Sequence, residues 1–113
     1  ASATDGWIKV AGFAGRYQSF STTPYTLDPW VHIYGLQRTT AQRVNVPAAS
    51  SVPPGFFWII KDEVTSRIGA GNNITLTSSS PIQNLFDGET TYVLTGTMPA
   101  ISLYSNGTNW FVF

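Results

Sequence analysis

The chain contains no cysteine and few charged residues, and both absences restrict what it can be. Without cysteine there is no disulfide framework, no thiolate nucleophile and no zinc site of the cysteine type. Charged side chains make up 11% of the 113 residues, less than half of the usual share of about 25%. Six basic and six acidic residues give a formal net charge of zero. Because lysine and arginine are nowhere clustered, the sequence argues against nucleic acid and against an anionic membrane surface as partners.

Long apolar runs, a leader segment and helical periodicity are lacking as well. No run approaches the ~20 apolar residues that cross a bilayer, so we expect no membrane insertion. Residues 1–5 have neither the basic start nor the apolar block of a signal peptide, so we expect the chain to be made in the cytoplasm of the cell that produces it. No segment repeats apolar residues at the spacing of an amphipathic helix.

What is present instead is a series of short β-branched and aromatic runs, separated by clusters of glycine, proline, asparagine and serine. This pattern predicts an all-β fold. The runs lie at residues 7–13, 30–36, 43–46, 56–62, 74–77, 90–94 and in both arms of a terminal hairpin. We expect one domain, residues 1–113, with a compact antiparallel sandwich or barrel-like fold of about seven to nine short strands. A proline-rich connector, residues 47–55, separates the strands of residues 1–46 from those of residues 56–113.

The clearest local signal is the hairpin of residues 100–113. Asn106-Gly107 lies between two apolar runs, and both residues accept the positive φ that a type I′ turn requires. A two-residue loop at this position would place Leu103 opposite Trp110 and fix the register of the two strands.

Alternation along the hairpin separates its side chains into two faces. We expect the first face to lie in the core; it carries Ile101, Leu103, Trp110 and Val112. The second face carries Tyr104, Phe111 and Phe113, which an isolated monomer would leave in water. Exposed aromatic patches usually mark interaction surfaces, so these three residues are candidates for a contact between subunits. In the alternative interpretation, a preceding strand of the same chain covers them.

Chemically active groups are scarce, and we predict no catalytic residue, metal site or cofactor. His32 is the only histidine, and no Gly-x-Ser-x-Gly elbow accompanies it. Asp62 and Glu63 are neighbours on a predicted strand and should point to opposite faces, so they cannot face each other across a glycosidase cleft. Asp87 and Glu89 flank a glycine and are better suited to shaping a turn. Neither pair has the dense oxygen spacing of a calcium loop.

Some of the aromatic residues could instead stack on sugar rings. Small β-domains hold carbohydrate on an exposed aromatic face beside asparagine or aspartate. A core position is the more common role for each ring, and Trp30 and Tyr34 are the two candidates for glycan contact.

Five short blocks in the second half of the chain resemble a module found at the ends of tailed-bacteriophage virion proteins, including tail fibres, spikes, head fibres and capsid decoration proteins. In order, the blocks are residues 61–63, 71–77, 87–88, 92–94 and 102–112. The resemblance extends over residues 57–113 and departs from the family at residues 64–66, where a glycine is more usual. It implies a homotrimeric, non-enzymatic protein on the virion surface, with major capsid or tail proteins as further partners.

These observations favour a structural protein of a tailed-phage virion, acting in capsid decoration or as a head-fibre or tail-fibre component. The alternative is a module that binds carbohydrate on the host surface through exposed aromatic residues. A small hydrolase is disfavoured because the chain has so few general acids and bases.

Overall fold

The computed structural model describes residues 16–64, 72–78 and 87–113. Within them the chain forms nine strands in two sheets and one short 3-10 helix, Ala49–Ser51. The strands are β1 (Tyr17–Phe20), β2 (Tyr25–Thr26), β3 (Ile33–Leu36), β4 (Gln42–Val46), β5 (Phe57–Asp62), β6 (Ile74–Ser78), β7 (Thr91–Leu94), β8 (Ala100–Ser105) and β9 (Trp110–Val112). The predicted all-β, sandwich-like fold is confirmed.

The pairing of the strands differs from the prediction. The five-stranded sheet has the order β1-β3-β5-β8-β9, and the four-stranded sheet has the order β2-β4-β6-β7. The first six strands pair in parallel: β3 pairs with β1 and β5 in one sheet, and β4 pairs with β2 and β6 in the other. Among the described strands, only the pairs made by β7, β8 and β9 are antiparallel. The expectation of a purely antiparallel sandwich was therefore wrong.

The parallel pairing follows from the path of the chain, which alternates between the two sheets. Two parallel neighbours need a crossover connection, commonly a helix. Here a strand of the facing sheet serves as the crossover, so that β2 lies between β1 and β3 in the sequence and β3 lies between β2 and β4. The first six strands thus form successive turns of a solenoid-like path, in which each turn contributes one strand to each sheet. Tyr17, Ile33 and Ile59 occupy equivalent positions in consecutive turns.

Most predicted strands occur within one or two residues of their predicted bounds. The strand predicted at residues 30–36 begins later, at Ile33, because Asp28 forms a turn: its Oδ1 accepts a hydrogen bond from the Trp30 amide at 2.8 Å, and its carbonyl accepts one from the Val31 amide at 3.1 Å. Strands β1 and β2 were not predicted. The strand predicted at residues 7–13 lies outside the described residues.

The terminal hairpin has a longer loop than predicted. Ser105 pairs with Trp110, and Leu103 pairs with Val112 rather than with Trp110. The reason is the Asn106 side chain, whose Oδ1 accepts hydrogen bonds from the backbone amides of Thr108 at 3.0 Å and Asn109 at 2.9 Å. This arrangement makes residues 106–109 a four-residue loop, in which Asn106 does not take the positive φ of a type I′ turn.

The shift in register is two residues, so the predicted faces of the hairpin are kept. Ile101, Leu103 and Trp110 are buried, and Val112 packs partly buried against them. The expectation that these four residues face the core is confirmed.

Two stacked indoles occupy the middle of the core. The rings of Trp58 on β5 and Trp110 on β9 lie 4.9 Å apart, and both side chains are fully buried. Each indole N–H donates to a backbone carbonyl in a connection, Trp58 to Asp28 at 3.2 Å and Trp110 to Pro47 at 2.9 Å. The stacked pair therefore fixes two connections as well as two strands.

The outer edge of β9 is closed by Asp87. The Asp87 amide donates to the Trp110 carbonyl at 3.2 Å, and its Oδ1 accepts from the Val112 amide at 3.0 Å. Asp87 holds this position with φ of 51°, a conformation that aspartate and asparagine tolerate better than most residues. A single residue thus pairs the two backbone groups that β9 would otherwise present as an open edge.

We predict that Asp87→Ala lowers the free energy of unfolding by about 1–2 kcal/mol, because it removes the acceptor for the Val112 amide and places alanine at positive φ. Asp87→Asn keeps both an acceptor and the conformation, so its stability should lie within about 0.5 kcal/mol of the wild type. Urea denaturation measures the difference, and the exposed neighbour Glu89→Ala serves as the control. Equal losses in Asp87→Ala and Asp87→Asn would show that the carbonyl-type acceptor is not what matters.

Candidate functional site

The outer side of the five-stranded sheet carries an unbroken group of aromatic side chains, here called the aromatic face. Its members are Phe57 on β5, Tyr104 on β8, and Phe111 and Phe113 at the C-terminal end. Register places Phe57 beside Tyr104 and Tyr104 beside Phe111 in one row across three strands. The neighbours along each strand, such as Trp58, Leu103 and Trp110, point inward and are fully buried.

The rings at the C-terminal end of the aromatic face contact one another, and two of them, Tyr104 and Phe113, are exposed, while Phe111 is half-buried. Tyr104 stacks on Phe111 with ring centroids 5.5 Å apart and meets Phe113 edge-on at 5.6 Å. Tyr104 is 38% exposed and Phe113 is 64% exposed. Within the described residues, no strand of the chain covers these rings. The residues predicted as subunit contacts, Tyr104, Phe111 and Phe113, are thus brought together on one exposed surface.

An apolar row continues from the aromatic face toward β1. Tyr17, Ile33 and Ile59 lie side by side on the outer side of the sheet, followed by Ser102. The Phe113 amide donates to the Ser102 carbonyl at 2.9 Å, which places the terminal ring at the end of this row. Tyr17, the half-buried Ile33 and Ile59, and the aromatic face thus lie on the same side of the sheet, with the polar Ser102 between Ile59 and Phe113.

A polar cluster forms the far border of this surface. The Tyr17 hydroxyl donates to Glu63 Oε1 at 2.8 Å, and the Gln37 side-chain amide donates to the same oxygen. Both contacts pass over Gly35, where an added Cβ would overlap with the Glu63 carboxylate and the Tyr17 hydroxyl. The glycine leaves room for the two side chains to cross the strand and meet.

The negative charge of Glu63 acts directly on Tyr17. Because the hydroxyl donates to a carboxylate, the neutral form of the ring is favoured, and the pKa of Tyr17 is raised above its usual value. Burial and charge repulsion from Glu63 act in the same direction, while the hydrogen bond from Gln37 lowers the pKa.

His32 lies in the core among aromatic rings. Its imidazole is buried and packs against the rings of Phe56 and Phe57, with centroids 4.9 Å and 4.8 Å away, and Nδ1 lies 3.1 Å from the Phe57 carbonyl. The Asp28 carboxylate accepts the Trp30 amide within its own turn. These contacts are those of a core histidine beside a structural turn.

The carboxylate pairs are separated as the sequence indicated. Asp62 is fully buried on the inner side of β5, and its Oδ1 accepts from the Val64 amide at 3.2 Å, whereas Glu63 lies on the outer side. Asp87 is engaged with β9. Among the described residues, no three histidine or acidic side chains come close enough to hold a metal ion.

The two glycan-contact candidates have different surroundings. Trp30 is 71% exposed, and the Arg16 guanidinium lies 5.6 Å above its ring. Tyr34 is fully buried against Phe20 and Tyr25, and its hydroxyl is bonded to the Asp28 backbone. Burial raises the pKa of Tyr34. The side chain of Tyr34 points to the inner side of β3, where its ring packs in the core. It cannot contact a glycan from this position, so the prediction for Tyr34 was wrong.

The outer side of the four-stranded sheet is polar, in contrast to the aromatic face. One row across it is a hydrogen-bonded series: Thr77 Oγ1 donates to Asn45 Oδ1 at 3.1 Å, and Asn45 Nδ2 donates to Thr26 Oγ1 at 3.5 Å. Beside this row lies a pocket of about 230 Å³, which was not predicted. It is lined by Thr23, Ala41, Gln42, Arg43, Asn73 and Thr75.

The sequence predicts which residues of β4 and β6 point outward, but it does not predict that they lie together. Alternation in β4 and β6 places Arg43 and Thr75 outside and Val44 and Leu76 inside. The neighbourhood of Arg43 and Thr75, however, depends on the parallel register of two strands distant in the sequence. No pattern among neighbouring residues in the sequence predicts that register.

Among the described residues, no helix is long and apolar enough to cross a membrane. Comparison with models of protein families, with curated proteins and with solved structures finds no match to this chain.

We predict that Glu63→Gln returns the pKa of Tyr17 toward its usual value, because the charged acceptor of its hydroxyl is replaced by a neutral one. Titration of the tyrosine ring signals by NMR measures this change. Glu89→Gln removes an exposed carboxylate elsewhere, so the pKa of Tyr17 in this variant should remain as high as in the wild type. An unaltered Tyr17 titration in Glu63→Gln would contradict the contact at the border of the apolar surface.

Proposed function

We propose that this protein is a non-enzymatic structural component that associates with copies of itself through the aromatic face. The observation that carries the proposal is the group of Tyr104, Phe111 and Phe113, whose rings contact one another while Tyr104 and Phe113 are exposed and Phe111 is half-buried. A group of contacting aromatic rings on an outer sheet surface is a liability for a freely diffusing monomer and is typical of an interaction site.

The energetics favour burial of this surface. Removing apolar area from water contributes about 25 cal/mol per Å², and each large aromatic residue can bury on the order of 150–250 Å². Offset and edge-on ring pairs such as those of Tyr104 add roughly 0.5–1.5 kcal/mol beyond the area term. Because the rings already hold one another in place, little side-chain entropy remains to be lost on association.

A second copy of the chain is the occupant that the charge balance supports. The formal net charge is zero and only 11% of the residues are charged, so identical copies meet without long-range repulsion. Closed assemblies of identical subunits are also the commonest soluble oligomers. The choice of a trimer, rather than a dimer, comes from the resemblance to phage virion modules alone.

The resemblance also supplies the proposed setting, the surface of a tailed-phage virion, with the major capsid protein or tail proteins as further partners. Several of the resembling residues have structural roles that suit such a protein. Asp87 closes an edge strand, Asn106 shapes the terminal loop, and Trp110 fills the core. In this setting the protein would decorate the capsid or form part of a head or tail fibre.

We predict that the wild type has a solution mass of three times 12.3 kDa at micromolar concentration, and that Phe111→Ser combined with Phe113→Ser converts it to a monomer. The reason is the loss of the apolar area that the exposed Phe113 ring and the half-buried Phe111 ring would bury between subunits. Light scattering coupled to gel filtration measures the mass. Val93→Ser provides a matched control, because Val93 is a 48% exposed apolar residue on the other sheet. A wild-type protein that is monomeric under these conditions would refute the proposal.

A second candidate function, carbohydrate binding on the host surface, is supported by Trp30. Its ring is exposed at a turn held by Asp28, with Arg16 beside it, which is an arrangement that can stack on a sugar ring. Binding and self-association are compatible, since Trp30 is not part of the aromatic face.

We predict for this second function that Trp30→Ala abolishes binding to the neutral glycans that the wild type retains on an array, because the stacking surface is lost. Val93→Ser again serves as the control for removal of an exposed apolar side chain. Equal binding by Trp30→Ala and the wild type would exclude Trp30 as the contact.

A further inference from the structure

The pocket on the outer side of the four-stranded sheet is lined in part by a buried glutamine, Gln42. Gln42 is only 2% exposed, and its Nε2 donates to the Thr22 and Arg43 carbonyls, both at 2.8 Å. Its Oε1 is buried and accepts no hydrogen bond from any described residue. This oxygen is closed to solvent and cannot itself contact a molecule in the pocket, whereas the two bonds of Nε2 hold the Gln42 side chain in place beside Arg43.

The pocket also holds a positive charge without a counter-charge. Arg43 is exposed at the rim, and its guanidinium forms no ion pair with a described residue. Its backbone amide is already bonded to Thr23 Oγ1 at 2.9 Å, so the side chain rather than the backbone is available to a ligand. A guanidinium offers two parallel N–H groups that match a carboxylate.

The remaining lining consists almost entirely of neutral hydrogen-bonding groups. Thr23, Asn73 and Thr75 contribute hydroxyl and amide groups, and Ala41 is the one apolar member. Hydroxyls and amides both donate and accept, as the hydroxyl groups of a sugar do. A phosphate, by contrast, is usually held by several backbone N–H groups converging on one point, and the Arg43 amide is already occupied.

From these groups we propose that the pocket binds one acidic sugar residue, with its carboxylate on Arg43 and its hydroxyls on Thr23, Asn73 and Thr75. The volume of about 230 Å³ is below the ~300 Å³ at the lower end of pockets for drug-sized ligands, which suits a single ring.

The surface beside the pocket fits a longer glycan. The series of Thr26, Asn45 and Thr77 lies on the same side of the sheet, next to the row of Arg43 and Thr75. Further sugar units could lie along this flat polar row. The site is on the opposite sheet from the aromatic face and is distinct from Trp30, so it does not depend on the proposed self-association.

The test compares two sugars that differ only at the carboxylate, methyl glucuronide and methyl glucoside. Each is titrated into the ¹⁵N-labelled full chain and followed by the amide signals of Gln42, Arg43 and Thr75. A ligand of this size without an aromatic stacking partner should bind with a Kd on the order of 1 mM. We expect the glucoside to bind at least tenfold more weakly, because it cannot use the Arg43 fork.

Variants assign the effect to the pocket. Arg43→Gln should lower the affinity for the glucuronide about tenfold and remove the preference over the glucoside. Arg16→Gln removes a positive charge beside Trp30 and should leave both affinities unchanged. Thr75→Val keeps the shape of the side chain but removes its hydroxyl, so it should lower the affinity for both sugars. The solution mass of Arg43→Gln should equal that of the wild type, which separates this test from that of self-association.

Three results would overturn the inference. The first is the absence of a saturable shift with the glucuronide at about ten times the expected Kd. The second is equal binding by Arg43→Gln and the wild type, or shifts centred on Trp30 instead of the pocket. The third is inorganic phosphate binding at the same residues as tightly as the glucuronide, which would make the pocket a simple anion site.

Discussion

The stacked pair of Trp58 and Trp110 is the contact on which the remaining structure depends. It joins β5, in the middle of the five-stranded sheet, to β9 at its edge. The two indole N–H groups hold the carbonyls of Asp28 and Pro47, so the pair also sets the position of two connections. One of these connections carries Trp30. Truncation of a buried tryptophan typically costs about 3–5 kcal/mol, a large part of the stability of a domain of this size.

From this core the two sheets present very different outer surfaces. Alternation places every second side chain inward, where both sheets share one set of apolar residues. The outward positions differ between the sheets: aromatic rings and isoleucines predominate on the five-stranded sheet, while threonine, asparagine and arginine predominate on the four-stranded sheet, with Val93 as an exposed apolar residue there. One scaffold can in this way separate a surface for contacts between subunits from a surface for a polar ligand.

Local patterns in the sequence predicted what depends on neighbours along the chain. The division of the terminal hairpin into a core face and an aromatic face followed from alternation, as did the separation of Asp62 from Glu63. What failed depends on partners distant in the sequence. The parallel order of the strands in both sheets leaves no local trace, and the pocket beside Gln42 depends on the parallel pairing of β4 with β6. The prediction of a two-residue loop at Asn106 failed for another reason. The Asn106 side chain accepts the hydrogen bonds of the Thr108 and Asn109 amides, and this stabilises a longer loop.

The alternating path of the chain has a consequence for how the protein folds. Between two strands that pair in parallel, the chain always forms a strand of the other sheet. Neither sheet can therefore be completed while the other is absent. Closing these loops costs entropy before any contact compensates for it, which is typical of slowly folding, highly cooperative β-proteins. Amides in both layers should therefore exchange with solvent through the same global opening rather than through separate local ones.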